Sequence, residues 1–249
     1  MYQYNKLARI YDYLMQGIDY DEWAEYIISL VEEHGGNKGI IMDLACGTGS
    51  SSLSLAKKDL QVVGVDLSPQ MLEAARVKAD KEGLKIDFVE QDMRELSLTD
   101  KVDAVVVFQD GLNYMLKEED LKRVFEGVYK QLKAKGLFIF DINSVDKLPA
   151  SPDEVNWLDE DDMTLIWDST YNREEEIWEI NLTGFLKVEG DYYEKFREVH
   201  RERYYPRRII KNYLEEAGFQ MLAVYKAFTL EEGNDNHRRL YYVARKEQA

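Results

Sequence analysis

The segment IIMDLACGTGS, residues 40–50, decides the fold. Its first residues form a short apolar run that predicts a strand, and Gly47 and Gly49 follow closely. Both glycines let the backbone turn sharply and approach a ligand, at the strand end where open α/β sheets bind ligands. Dinucleotide-binding turns carry a third glycine where this chain has Ser52, so a pyrophosphate ligand is disfavoured. A tight turn without any ligand is the alternative.

Apolar runs alternate with helical patterns on the carboxyl side of this segment. Further strands are predicted at 62–65, 86–89, 102–108 and 137–140, with helices between them. The run at 102–108 is apolar almost throughout, as strands buried on both faces are. This alternation predicts an α/β fold, a parallel sheet with helices on both faces.

The alternation of strand and helix patterns stops at residues 150–205, which are rich in acidic and aromatic side chains. Extended segments are predicted at 163–171, 177–188 and 192–205, and partial alternation favours antiparallel strands with one face covered. We interpret this insertion as an antiparallel β lid over a substrate. A solvated outer face or a dimer surface is the alternative.

Three parts of the chain follow from these patterns. Helical spacing predicts N-terminal helices over residues 1–36 that cover the ligand site. The α/β core comprises 37–149 and 206–249, the latter with a helix after Pro206 and two closing strands. The predicted lid, 150–205, interrupts that core.

Composition narrows the classes of function. A net charge of −16 opposes binding to nucleic acid and to anionic membranes, which both attract clustered Lys and Arg. Cys46 is the single cysteine and there are three histidines, so we expect neither an internal disulfide nor a metal site. No apolar run reaches about 18 residues and no signal-peptide pattern opens the chain, which makes the cytoplasm the expected location.

Two acidic residues stand at predicted strand ends. Asp66 ends the second strand, about 20 residues beyond the glycines, where an acid can accept both hydroxyls of a ribose. Asp92 follows the third strand and is placed to accept from an adenine amino group. Each has a simpler interpretation, a solvated strand-end carboxylate for Asp66 and a loop acid for Asp92.

Together these residues resemble a known family. The segment 43–50, Asp66, Asp92-Met93 and Phe108-Gln109-Asp110 resemble the successive motifs of class I S-adenosylmethionine methyltransferases. The segments Tyr11–Met15 and Tyr20–Trp23 look like the N-terminal helices of its small-molecule branch, and the insertion is similar in placement to that of sugar-amine N-methyltransferases. The resemblance implies a doubly wound, seven-stranded, mainly parallel sheet of Rossmann-like form.

The resemblance also implies roles for individual residues. Asp43 would orient the glycine loop, Leu67 and Met93 would enclose the adenine, and Phe108 and Gln109 would lie near the sulfonium. Ala45 departs from the family, since many members carry a third glycine there. The implied set that binds the cofactor S-adenosylmethionine is Tyr11, Tyr20, Asp43, Ala45, Cys46, Gly47, Gly49, Asp66, Leu67, Met71, Gln91, Asp92, Met93, Phe108 and Gln109.

Methyl transfer requires little acid–base chemistry because the sulfonium is already activated. The enzyme must align a nucleophile and exclude water. No catalytic residue is assigned; Tyr11 and Gln109 are candidates for positioning, although Tyr11 would serve equally as a packing residue. His200 is interpreted as a residue of a strand surface. The candidate substrate-binding residues are Asn113, Tyr114, Trp167, Tyr171 and Trp178.

The sequence therefore predicts an S-adenosylmethionine-dependent methyltransferase that acts on nitrogen or oxygen of a small-molecule acceptor. A non-catalytic module that binds the same cofactor is the alternative. A nicotinamide-dependent oxidoreductase is disfavoured by Ser52 and by the lack of a Tyr-x-x-x-Lys helix. We expect no nucleic-acid or membrane partner, and a homodimer stays open.

Overall fold

The structure, a computed structural model, describes residues 7–144, 146 and 155–247. The predicted boundary between core and insertion at 149/150 lies outside the described residues. Helices and strands follow one another as α1 Tyr11–Leu14, α2 Tyr20–Glu33, β1 Ile40–Leu44, α3 Ser50–Ala56, β2 Gln61–Asp66, α4 Pro69–Glu82, β3 Asp87–Glu90, β4 Val102–Val107, α5 Glu118–Gln131, β5 Leu132–Asn143, β6 Asn156–Glu160, β7 Met163–Asn172, β8 Ile177–Glu189, β9 Tyr192–Arg203, α6 Arg207–Glu216, β10 Phe219–Lys226 and β11 Arg239–Lys246.

Seven strands form the main sheet in the order β10-β11-β5-β4-β1-β2-β3. Strands β1 to β5 run parallel, and β11 is antiparallel to both β5 and β10. The predicted seven-stranded, mainly parallel sheet is confirmed. The order reverses between β1 and β4, and such a switch point opens a crevice at the carboxyl ends of the strands.

Apolar helix faces cover both sides of this sheet. On one side Leu121 and Phe125 of α5 pack against Phe138 and Phe140 of β5. On the other side Trp23 and the rest of the apolar face of α2 pack against the sheet. Strands covered on both faces are mostly apolar, and all six residues of β4 are buried, five of them apolar.

Local chemistry sets the ends of α4. The hydroxyl of Ser68 accepts a hydrogen bond from the backbone N–H of Met71, and Pro69 occupies the first turn. Gly83 ends the helix in the left-handed conformation. Serine before a helix, proline in its first turn and glycine after its end are the residue types that favour these positions.

The start of β5 differs from the prediction. The sequence predicts a strand that begins at residue 137, but β5 begins at Leu132. Leu132 pairs with Val102, and the register then shifts before Leu137 pairs with Ala104. Lys135 takes up the extra length with a φ of +64°, and the Lys133 ammonium lies 2.7 Å from Asp103 Oδ2. A bulge therefore keeps this polar segment in the sheet.

The insertion is a four-stranded antiparallel sheet in the order β6-β7-β8-β9, which we call the insertion sheet. Three of its strands are predicted, and β6 is missed. Leu165, Leu182 and Phe196 on its inner face pack with Leu7 and the partly buried Leu14. The N-terminal segment is thereby enclosed between the insertion sheet and the core. In the part of the chain that the structure describes, no helix has the length and apolar character needed to cross a membrane.

Candidate active site

A cavity of about 450 Å³ lies at the carboxyl ends of β1, β2 and β4. Its volume is within the usual range for small-molecule sites. Twelve of the residues predicted for cofactor or substrate contribute to its lining, namely Tyr11, Ala45, Gly47, Asp66, Leu67, Met71, Gln91, Asp92, Met93, Phe108, Gln109 and Tyr114. The sequence analysis misses Leu44, Val65, Ser68, Arg94, Gly111 and Met115, which complete it.

The glycine loop follows β1 in a strained conformation. Ala45 has a φ of +62°, a left-handed value that disfavours any side chain with a Cβ. A Cβ on Gly49 would lie 2.8 Å from the Cβ of Ala75, so this position requires glycine. The loop thus brings its backbone close to the cavity. Gly49 and the buried Cys46 belong to the loop but do not line the cavity.

Asp43 anchors the loop from below the cavity. It is fully buried, and its Oδ2 accepts hydrogen bonds from the hydroxyls of Ser51 at 2.7 Å and Ser52 at 2.6 Å. Its Oδ1 has no hydrogen-bond partner among the described residues. Burial raises the pKa of Asp43 to about 6, against the effect of the two serines. Ser52, which replaces the third glycine of a dinucleotide motif, therefore holds this acid.

Asp66 joins the glycine loop to the end of β2. Its Oδ2 accepts from the N–H of Gly47 and its Oδ1 from the N–H of Ser68, both at 2.8 Å. Burial raises the pKa of Asp66, and these N–H groups oppose the shift. Since each carboxylate oxygen has two lone pairs, Asp66 retains accepting capacity toward the cavity that it lines.

Asp92 is already paired with a cation. Both of its oxygens accept from Nε of Arg94, at 2.9 and 3.1 Å, and these bonds lower the pKa of Asp92. Arg94 lines the cavity beside it and also lies 3.6 Å from Asp120. The simple loop acid of the sequence analysis is thus one half of an ion pair at the cavity rim. An arginine two residues beyond an acid carries no signature by which sequence reasoning could find it.

Helix α1 is clamped onto the glycine loop. Asp12 accepts from the hydroxyl of Thr48 at 2.5 Å, and its other oxygen lies 2.7 Å from the ammonium of Lys78. This clamp places the neighbouring Tyr11 in the cavity wall, where burial raises the pKa of its hydroxyl. Burial also raises the pKa of Tyr20 to about 12, but Tyr20 does not line this cavity. Both phenols are therefore neutral at physiological pH.

Buried charges surround the loop after β4. Gln109 and Asp110 both have left-handed φ values, +49° and +55°, and strain of this kind is common at functional sites. The backbone N–H of Asp110 donates to Asp141, and Arg239 bonds to both carboxylates. Glu202 of β9 joins this cluster. Burial raises the pKa of Asp141 to about 6 and that of Glu202 to about 8.

Asn113, a predicted substrate residue, has another role in the structure. It is fully buried, and its amide donates to the carbonyl oxygens of Asn143 and Arg203, each at 2.9 Å. Its own oxygen accepts from the N–H of Asn143 at 3.0 Å. The side chain thus ties the loop after β4 to β5 and β9, and it is not among the residues that line the cavity.

The predicted aromatic residues of the insertion share one face. Trp178 pairs across the strands with Tyr171 and with Glu202, so these three side chains point to the same side of the insertion sheet. Trp167 packs on the cluster that holds Leu7, two pairs further along that side. None of the three aromatics lines the cavity as it stands.

The interpretation of His200 as a surface residue is wrong, because only 5% of it is exposed. His200 alternates with Glu198 and Glu202 on the inner face of β9. Its Nδ1 lies 3.5 Å from the hydroxyl of Tyr114, and its Nε2 lies 3.3 Å from Glu198 Oε2. The alternating pattern Glu-x-His-x-Glu at 198–202 indicates that these three side chains lie on one face of the strand, and it could have identified this cluster. Over residues 7–144, 146 and 155–247, no three His, Cys, Asp or Glu side chains are arranged to hold a metal ion.

Comparisons with known proteins agree with this fold and cavity. A family described as "Methyltransferase domain" matches residues 41–136. The Bacillus subtilis protein YqeM, which is named as a methyltransferase, is 36% identical over 98% of this chain and 97% of its own length. The structure of an S-adenosylmethionine-dependent methyltransferase from Clostridium acetobutylicum superposes with a TM-score of 0.86 at 30% identity, over 98% of this chain and 99% of the other.

A more distant structure, the sugar N-methyltransferase KedS8 from Streptoalloteichus, has a TM-score of 0.76 at 21% identity, covering 95% of this chain and 91% of the other. This likeness concerns the fold alone. The fold and the glycine-loop cavity are those of class I methyltransferases. The chain belongs to the S-adenosylmethionine-dependent methyltransferases, and its cofactor is S-adenosylmethionine.

Proposed function

We propose that this methyltransferase acts on a small molecule, at nitrogen or oxygen, and that a nitrogen acceptor is favoured. The observation that carries the preference is an unbalanced buried acid beside the cavity. Arg239 bonds to Asp110 and Asp141, but Glu202 Oε2 has no hydrogen-bond partner among the described residues. Burial raises the pKa of Glu202 to about 8, so this acid is largely protonated at neutral pH unless a cation lies beside it and favours the carboxylate. A protonated amine entering under the insertion sheet supplies that cation.

The residues of the cavity fit the cofactor. The remaining lone pairs of Asp66 suit the two ribose hydroxyls, whereas Asp43 lies below the lining residues and holds the glycine loop that faces the amino-acid end. Leu67 and Met93 offer apolar contact to the adenine. When bound, the cofactor supplies a methyl group on a positively charged sulfur.

The chain's own residues then position the acceptor and exclude water. The neutral hydroxyl of Tyr11 and the side chain of Gln109 line the cavity on the α1 and β4 sides. We expect the insertion sheet, whose inner face carries apolar and aromatic side chains, to close over the bound acceptor and so favour methyl transfer over reaction with water. KedS8, a sugar N-methyltransferase by its name, shares the fold over 95% of this chain, which supports a nitrogen acceptor.

Cofactor binding is tested by thermal unfolding. S-adenosylmethionine at 100 times its dissociation constant should stabilise the protein by about 2.7 kcal/mol, while NAD has no effect. Asp66→Asn removes the charge but preserves an acceptor for Gly47, so we expect about tenfold weaker cofactor binding. Asp59→Asn, an exposed change before the opposite end of β2, is the control. Unchanged affinity in Asp66→Asn would remove Asp66 from the proposed site.

Acceptor class is tested with matched pairs, ethanolamine against ethylene glycol and glucosamine against glucose. Formation of S-adenosylhomocysteine is measured for each member, and then with a total metabolite extract. We expect product with the amines and none with their hydroxyl partners. Product from the hydroxyl members alone would contradict the preference for nitrogen. No product from either the pairs or the extract would contradict a small-molecule acceptor.

A further inference from the structure

A chain of three polar side chains leads from the cavity into the insertion sheet. Tyr114 lines the cavity, and its hydroxyl lies 3.5 Å from Nδ1 of His200, with the two rings at 87° to each other. Nε2 of His200 lies 3.3 Å from Oε2 of Glu198. The other oxygen of Glu198 accepts from the backbone N–H of Leu7 at 3.2 Å. The acid is thus fixed by the N-terminal segment.

The neighbours of His200 favour one arrangement of its protons. Oε2 of Glu198 lies 3.3 Å from Nε2 without hydrogen-bond geometry, and the negative charge of an ionised Glu198 favours the hydrogen on Nε2. Nδ1 of the neutral ring is then bare and can accept from the hydroxyl of Tyr114. A base oriented by an acid and reaching the cavity through a hydroxyl is the arrangement that general-base catalysis requires.

We propose that Tyr114, His200 and Glu198 form a proton relay that removes the proton of the acceptor amine. This inference rests on the proposed nitrogen acceptor. The acceptor enters as an ammonium, and one of its N–H bonds breaks with the electron pair remaining on nitrogen, where it can accept the methyl group. The released proton goes to Oη of Tyr114 while the hydroxyl proton of Tyr114 goes to Nδ1 of His200. Proton removal gives a neutral amine and an imidazolium, whose charge Glu198 balances, and methyl transfer then leaves the product as a methylated ammonium.

Burial explains why the relay needs each member. His200 and Glu198 side chains are 7% and 8% exposed, so an imidazolium formed here has little water to stabilise it. Glu198 supplies the compensating charge at 3.3 Å, and Glu202 lies two residues further along the same face. Tyr114 touches the cavity, whereas His200 and Glu198 act through it and are positioning residues.

Nitrogen NMR tests the arrangement without any acceptor. The chain has three histidines, so ¹⁵N-histidine labelling gives few signals, which His34→Gln, His200→Gln and His237→Gln assign. At a pH where the His200 ring is neutral, we expect the hydrogen on Nε2 and none on Nδ1. Tyr114→Phe should shift the Nδ1 signal because it removes the donor. His34 and Tyr225 form a matched pair at 3.0 Å elsewhere in the fold, so Tyr225→Phe should shift His34 alone.

Kinetics test the function of the relay. With ethanolamine or glucosamine, whichever the wild type methylates faster, Tyr114→Phe and His200→Gln should lower kcat about 100-fold. Glu198→Gln should lower it about tenfold. The dissociation constant for S-adenosylmethionine should stay within about twofold in all three, because these residues assist proton removal and not cofactor binding. His34→Gln and Tyr225→Phe should retain the wild-type kcat.

The outcomes separate this inference from the proposed function. A protonated Nδ1 on the neutral ring, or no response of His200 to Tyr114→Phe, would overturn the relay even if no amine is methylated. An unchanged kcat in His200→Gln, with wild-type methylation of the amine, would also overturn it. A loss confined to KM, or shared with cofactor affinity, would indicate a purely structural role and reject the relay. Failure of the wild type to methylate any amine would contradict the proposed acceptor, while the NMR result still decides the relay.

Discussion

Ala45 holds a strained backbone conformation in the glycine loop. Its φ of +62° is a conformation that costs an L-residue about 1–2 kcal/mol. Glycine removes that cost but loses about 0.5–1 kcal/mol through greater freedom of the unfolded chain. We therefore expect Ala45→Gly to raise the free energy of unfolding by up to about 1 kcal/mol, measured by urea denaturation.

A matched substitution separates strain from the general effect of glycine. Ala79 lies inside α4 with a buried side chain, so Ala79→Gly should destabilise the protein by about 1 kcal/mol. If Ala45→Gly destabilises it to the same extent, the left-handed backbone at Ala45 carries no strain.

Residues at strand ends could be predicted, and residues brought together from distant segments could not. Asp66 and Met93 follow apolar runs directly, so their positions at the sheet edge follow from the sequence. His200 and Tyr114 are 86 residues apart, and their contact depends on how the insertion sheet packs. Asn113 is predicted to bind substrate, but all its hydrogen bonds in the structure go to backbone groups.

At the scale of elements, the clamp on α1 should control how long the cofactor stays bound. Asp12→Asn removes the charge that contacts Lys78 and weakens the bond from Thr48. Since hydrogen bonds to charged groups contribute about 1.5–3 kcal/mol and this one is half exposed, we expect about tenfold weaker S-adenosylmethionine binding. Stopped-flow fluorescence should show the change as faster dissociation.

Lys78→Met should have a similar effect, and the double variant should be less than additive because the two residues share one interaction. The exposed Lys81 on the same helix provides the control variant, Lys81→Met. Wild-type dissociation from Asp12→Asn would show that α1 is held by its apolar contacts alone.

Element boundaries were predicted well where one pattern dominates. Caps and apolar periodicity define α4, and continuous apolar runs define β4. The pattern fails at β6, whose five residues, NWLDE, are mostly polar and exposed. Such a strand exists because β7 offers it a pairing edge, with Asn156 opposite Trp167. Pairing of this kind is tertiary information and leaves little trace in the strand itself.

At the scale of the whole molecule, buried acids make stability depend on pH. Burial raises the pKa of Asp43 and Asp141 from 3.8 to about 6 and that of Glu202 from 4.5 to about 8. Between about pH 4 and 8 the folded state therefore binds more protons than the unfolded state. The free energy of unfolding must fall as pH rises through this window. Urea midpoints at pH 5.5 and 8.0 should show the decrease.

Glu202 should account for the fall in the free energy of unfolding in the upper part of this pH window, because its pKa is about 8. Glu202→Gln should flatten the dependence between about pH 6 and 8, while the exposed Glu73→Gln should leave it unchanged. Asp110, Asp141 and Arg239 surround Glu202 and remain in the variant. A slope equal to that of the wild type would exclude Glu202 as its source.

The position of the insertion sheet in the chain affects how this protein can evolve. It enters after β5 and leaves before α6, within a single βα connection. Lengthening a surface connection costs little free energy. The pairing of the seven core strands therefore does not depend on which segment lies between β5 and α6. The family description ends at residue 136, before the insertion begins. A lineage can therefore exchange the insertion sheet and inherit the seven-stranded core unaltered.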